Sequence, residues 1–151
     1  MTDRDHNIPL ELVKAYQEAL YVIHGEGGDI SLRASQPSLE LASLMKMYGV
    51  KSAALLTAFN PHSILATAEV NVSNHNALID DIHTLGLKLI SGEGGDPSRI
   101  WPSEPSVLVL DISRQNADLL ADRYRQNAYL WISGDEGLVN LNLRYPVGGP
   151  H

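Results

Sequence analysis

The chain contains no cysteine. That absence removes disulfides, thiolate nucleophiles and zinc–thiolate centres together, and it fits a reducing cytoplasmic compartment. Basic residues are scarce as well: 11 Lys and Arg stand against 18 Asp and Glu, for a formal net charge of −7. An acidic surface opposes loose attachment to phosphate backbones or anionic lipid, so nucleic acid is a disfavoured partner. No apolar run approaches the ~20 residues of a membrane span. The opening stretch MTDRDHNIPLELVKAY carries acids and lacks the apolar segment and cleavage site of a signal peptide. Aromatic residues make up 6% of the chain, with two Trp and one Phe, and Trp101 and Trp131 read as packing anchors before base-stacking platforms.

What remains is ordinary globular material. At 151 residues and 44% hydrophobic content, the chain suits a single domain over 1–151, with a flexible start at 1–8 and a C-terminal tail at 144–151. Hydrophobic period divides it into alternating elements. Leu12, Ala15, Tyr16 and Ala19 recur at helical spacing after Pro9, although residues 20–23 could equally be extended. Residues 29–34 alternate like a half-buried strand. Ser38 can cap a helix whose Leu41, Leu44, Met45 and Tyr48 form one stripe ending at Gly49. The nearly continuous apolar run 52–59 predicts a strand covered on both faces, stopped at Asn60-Pro61. A helix over 67–85, a short strand at 88–91, a strand at 106–112 and a helix capped by Ser113 follow. Residues 128–132 and 138–143 close as a hairpin. The expected fold is therefore an α/β sandwich, a mixed sheet of about five or six strands with about four helices and a C-terminal β-hairpin.

One short sequence occurs twice: Gly-Glu-Gly-Gly-Asp spans residues 25–29 and again 92–96. Neither copy completes a dinucleotide or P-loop fingerprint, since Ile30 and Pro97 stand at the sixth positions, and the flanks diverge too far for an internal duplication. Glycines supplying positive φ angles in two turns explain the first copy. The second opens a Gly- and Pro-rich stretch reaching Pro105, too rich in both for a helix or interior strand, and loops of that length are disproportionately functional. The helix over 67–85 adds a pointer of its own. Its inward stripe of Asn71, His75, Leu78, Ile82 and Leu85 is polar at the end nearest the 60–63 loop. Those polar groups either bond to loop backbone or line a pocket with it. Asn60, Asn71, Glu93 and Glu104 are accordingly expected to converge on one face of the sheet.

Several blocks carry a family likeness: Ala15-Tyr16 with Tyr21, Arg33, Gln36-Pro37-Ser38, Thr57-Ala58-Phe59-Asn60-Pro61 with Ser63, Asn71, Gly92-Glu93-Gly94, Trp101-Pro102, Glu104-Pro105-Ser106 and Gln126-Asn127-Ala128. Together they resemble the bacterial domain-of-unknown-function family 3293 from about Ala15 to Leu143. The resemblance implies no activity, because that family is defined by sequence pattern. It does place the second Gly-Glu-Gly block, and not the first, within the shared pattern. Ala19 and Asn74 depart from the pattern, in which threonine and arginine are usual.

Three functions follow in order of support. The first is an enzyme or binder for a polar small molecule, in a pocket between the 60–63 loop, the polar end of the third helix and the 93–106 stretch. Glu93 and Glu104 are the candidate general acid or base, and Arg33, Thr57, Asn60, Ser63, Asn71, His75, Trp101, Ser106, Gln126 and Asn127 the candidate ligand contacts. The second is a regulatory module that binds a protein through the long loop and hairpin edge. The third is a nucleic-acid binder using Arg33, Arg99, Arg123 and Arg125, against the charge balance. Self-association as a homo-oligomer stays open, as does catalysis itself, and the sequence names no cofactor. His62, His75 and His83 with Asp80 or Asp81 fit no strong metal template, and no metal is expected.

Overall fold

The structure, a computed structural model, describes residues 6–95 and 103–148. The elements run β1 (Ile8–Pro9), α1 (Leu10–Glu18), β2 (Leu20–Gly25), β3 (Gly28–Leu32), α2 (Leu39–Met47), β4 (Ser52–Leu56), α3 (Ala68–Thr84), β5 (Leu89–Gly95), β6 (Glu104–Leu110), α4 (Arg114–Arg123), β7 (Ala128–Ser133), β8 (Leu138–Leu143) and β9 (Val147–Gly148). The principal sheet has seven strands in the order β3-β2-β5-β6-β4-β7-β8, and a separate two-stranded sheet pairs β1 with β9. The α/β class agrees with the sequence reading. The strand count is higher than expected, and every pairing in the principal sheet is antiparallel, with parallel pairing confined to β1 and β9.

Local chemistry explains most boundaries. Ser38, Thr67 and Ser113 each accept a hydrogen bond from the backbone N–H three residues on, satisfying donors that the first turns of α2, α3 and α4 would leave open. α1 ends at Glu18, because Ala19 adopts an extended conformation and Leu20 begins β2. Residues 20–23 are thus strand, the second of the two readings their pattern allowed.

Strand alternation then sorts the core into two layers. Ala53, Leu55, Leu108, Leu110, Leu130 and Ile132 pack with Leu41 and Met45 of α2 on one face. Ala54, Leu56, Val107 and Val109 pack on the other face against Leu78 and Ile82 of α3 and Leu120 of α4. Both faces of β4 and β6 are covered, which is why their sequences read as unbroken apolar runs.

The repeated pentapeptide has two different structures. In the first copy Gly25 pairs with Gly28 across the β2–β3 hairpin, and Gly28 carries φ +124°, a value that L side chains rarely adopt. In the second copy, residues 92–95 continue β5 as an interior strand between β2 and β6, correcting the expected loop. No turn requires glycine here; the neighbouring strand does. A Cβ on Gly92 would stand 2.6 Å from the Val22 carbonyl oxygen, and one on Gly94 2.6 Å from the Tyr21 ring. Glycine lets β2 and the Tyr21 ring lie against β5.

Candidate functional site

The buried polar side chains among the described residues are Asn71, Ser106, Gln126 and Asn127, and all lie near one end of the principal sheet. Buried polar groups are costly unless hydrogen-bonded, so their gathering marks a place where the chain spends stability on polar organisation. Each has partners. Gln126 Nε2 donates to the carbonyls of Phe59 and Tyr124, both at 3.1 Å. Asn127 Nδ2 donates to Tyr16 Oη at 2.9 Å, and its Oδ1 accepts from His6 Nε2 at 2.7 Å. Ser106 Oγ donates to the Glu104 carbonyl at 3.2 Å.

Asn71 works through Asn60. Its Oδ1 accepts the Asn60 N–H at 2.8 Å, and its Nδ2 donates to Asn60 Oδ1 at 2.9 Å. Asn60 Oδ1 also accepts the Ala66 N–H at 3.0 Å, and Asn60 Nδ2 donates to Glu104 Oε1 at 3.1 Å. One side chain thereby ties the end of β4, the start of α3 and the start of β6. The loop it anchors is strained: Asn60, His62 and Ser63 have φ of 48°, 58° and 61°. Non-glycine residues in this region cost on the order of 1–3 kcal/mol each and persist where the surroundings hold them. Here the holding bonds are those of Asn60 and the His62 N–H to the Arg125 carbonyl at 2.8 Å.

Beside this loop, under α1, lies a cavity of about 390 Å³. Its floor is the sheet face that carries Leu55, Leu130 and Leu141, and its roof is Ala15, Tyr16, Glu18 and Ala19 of α1 and the turn after it. Thr57, Ser63, Glu104, Ser106, Gln126 and Asn127 line it, six of the side chains expected from sequence. Tyr16 Oη and Ser63 Oγ lie 2.5 Å apart across the rim, and Tyr21 Oη donates to the Tyr16 carbonyl at 3.0 Å. Burial pushes the Tyr21 phenol well above its ordinary pKa. Burial also raises the Glu104 carboxyl above the usual carboxylate range, offset only in part by the hydrogen bond from Asn60.

The remaining expected residues are elsewhere. Asn60 and Asn71 stand behind the cavity wall, their side chains committed to one another, so they position Glu104 and the loop and do not line the space. Arg33 donates to the Glu18 carbonyl at 2.9 Å outside the lining, and His75 lies edge-on to Phe59 at 5.8 Å, also outside it. Glu93 does not converge with Glu104. It pairs in register with Pro105, one residue from Glu104, and side chains of successive strand residues point to opposite faces. Its carboxylate instead stands 3.6 Å from His24 Nε2 at a half-exposed site. Trp101 lies outside the described residues. The sequence reading did not nominate Tyr16, Glu18 or Tyr21, because the uncertain end of the first helix, with residues 20–23 open to either reading, left their placement undecided.

Among the described residues, no group of three or more His, Asp or Glu side chains is arranged to hold a metal ion, and no helix is long and apolar enough to cross a membrane. Residues 56–129 match the model of a family described as a protein of unknown function, DUF3293, and over that stretch the chain resembles this family. The match encloses Thr57, Asn60, Asn71, Glu104, Ser106, Gln126 and Asn127, and leaves out the floor residues Leu55, Leu130 and Leu141 together with α1 and β2, so it takes in the polar side of the cavity and neither floor nor roof. No significant match was found among curated proteins or solved structures.

The raised pKa of Glu104 carries a stability consequence. The folded state holds this proton more tightly than the unfolded chain, so the wild type loses stability as pH rises from the ordinary carboxylate range through the raised value. Glu104→Gln retains an oxygen for Asn60 and removes that loss. Urea unfolding should find the variant gaining stability relative to wild type as pH rises above the ordinary carboxylate range of about 4. A relative loss over that rise would show that the ionised carboxyl is stabilised by the fold.

Proposed function

We propose that the protein binds a polar small molecule in the cavity under α1, with Glu104 as its charged anchor. The observation that carries this reading is the coincidence of the cavity with the buried polar cluster: Ser106, Gln126 and Asn127 belong to both. A mostly apolar hollow of ~300–1,000 Å³ with a few convergent polar groups is the usual form of a small-molecule site. The strain at Asn60, His62 and Ser63 supports it further, since it brings the Ser63 hydroxyl to the rim. Glu104, a carboxyl with a raised pKa inside a cleft, is also the kind of group suited to proton transfer, although binding is the claim made.

A thermal-shift screen of a metabolite library against the wild type, Glu104→Gln and Ala15→Trp tests it. Ala15 is exposed on α1 and lines the cavity, so the Trp side chain fills the hollow without entering the core. A ligand at about 100 times its Kd stabilises by ~2.7 kcal/mol, or roughly 5–10 °C for a chain of this size. The expected hit shifts the wild type and fails to shift Ala15→Trp. If no compound shifts the wild type, or hits shift Ala15→Trp equally, the cavity is not the site.

A further inference from the structure

We propose that the ligand of this cavity is an organic cation, a protonated amine with a compact apolar body whose ammonium group pairs with Glu104. The inference rests on the small-molecule reading above and names the chemistry that reading leaves open. Charge is the first argument. Among the described residues the lining contains two ionisable carboxyls, Glu18 and Glu104, and no Lys, Arg or His. An anionic ligand would meet both acids with no opposing charge, whereas a cation would be attracted to either.

The second argument is incomplete satisfaction. Among the described residues Glu104 has no ion pair, and its one side-chain hydrogen bond comes from Asn60, a neutral amide. A carboxylate taken out of water needs a countercharge or several donors, and here the fold supplies one donor. The energetic penalty of ionising Glu104 in place is relieved when an ammonium group arrives with charge-assisted hydrogen bonds. A neutral ligand would leave the penalty standing.

The third argument is the wall around that carboxyl. Tyr16, Tyr21 and Tyr129 line the same space, and aromatic rings attract cations through their negative faces. Leu55, Leu130 and Leu141 supply the apolar floor for the rest of the molecule. Hydroxyl and amide groups at Ser63, Gln126 and Asn127 add neutral polar contacts that do not select for charge. An inorganic cation fits less well, since no third acidic or imidazole ligand is arranged with these carboxyls among the described residues.

The test is an isosteric probe series near pH 7.5, read by isothermal titration calorimetry: cyclohexylmethylamine, cyclohexylmethanol and cyclohexanecarboxylate, with magnesium chloride as the inorganic control. The amine is expected to bind the wild type at least about tenfold more tightly than the alcohol, the usual scale of one charged hydrogen bond, and the carboxylate not at all. Glu104→Gln should erase the preference for amine over alcohol, while Glu11→Gln, exposed on α1 and outside the lining, should retain it. Because the charge series is read on the wild type, the outcome does not depend on either variant folding. Alcohol or carboxylate binding as tightly as the amine overturns the cation assignment, as does magnesium binding without the amine, or amine binding unchanged in Glu104→Gln. If the alcohol binds and Ala15→Trp abolishes it, the cavity stands as a small-molecule site and only the charge assignment falls. Failure of all four probes on the wild type also overturns the cation assignment, and the library screen then decides the cavity separately.

Discussion

Gly92→Val is expected to lower the unfolding midpoint by roughly 5–10 °C, the equivalent of about 2–3 kcal/mol for a chain of this size. The cause is contact with backbone, not φ. Gly92 is buried in an interior strand, and the first atom of any side chain there would meet the Val22 carbonyl at 2.6 Å and the Ile23 Cδ1 at 3.3 Å. The methyl group could move aside; the carbonyl belongs to the β2–β5 ladder, so the two strands would have to separate. Glu93→Gln is the paired control. Its half-exposed contact with His24 at 3.6 Å is of the kind worth little in water, and the variant should unfold within about 0.5 kcal/mol of the wild type. Differential scanning calorimetry of both variants checks the pair. Equal losses would mean that Glu93 anchors the strand as strongly as the glycine spaces it.

Asn71→Ala should cost about 2–3 kcal/mol and abolish ligand binding, although Asn71 does not touch the cavity. The side chain is 6% exposed and makes two hydrogen bonds to Asn60, so truncation leaves the Asn60 N–H and Oδ1 short of partners in a buried place. Asn60 is then free to leave its left-handed conformation, carrying Ser63 from the rim and its own amide from Glu104. Val72→Ala, on the exposed side of the same helix, should stay within about 0.5 kcal/mol. Urea unfolding measures the stability change, and titration with a screen hit measures the binding change. Retained affinity in a destabilised Asn71→Ala would separate the loop from the site.

The sequence was most informative where a few adjacent residues decide the structure. The caps at Ser38 and Ser113, the apolar run into Asn60-Pro61 and the polar end of α3 were all readable, because each depends on spacing within a turn or two. Thr57, Gln126 and Asn127, drawn from the blocks of the family likeness, line one cavity with Ser63, Glu104 and Ser106. Residues 92–95 were misread for a non-local reason. Glycine usually argues against an interior strand, and what demands it here is the Val22 carbonyl beside Gly92 and the Tyr21 ring beside Gly94, far away in the chain and adjacent only after folding. That single error also joined Glu93 to Glu104: in a loop both could face one space, but in paired strands one residue of offset sends them to opposite sides.

The small β1–β9 pairing has a dynamic meaning. It joins two segments from opposite ends of the sequence through two residue pairs, with the Ile8 N–H donating to the Pro146 carbonyl at 2.8 Å. Contacts of such long sequence separation pay a large closure entropy, and a ladder this short returns little for it. Its detachment costs the burial of Ile8 and the hydrogen bond of His6 to Asn127, and leaves the pairings of the seven-stranded sheet in place, as a local opening of the native state. Since β1 leads directly into α1, and α1 roofs the cavity, that excursion loosens the roof while the floor stays fixed. Under the small-molecule reading proposed above, this opening gives the ligand a route for exchange that spares the seven-stranded core.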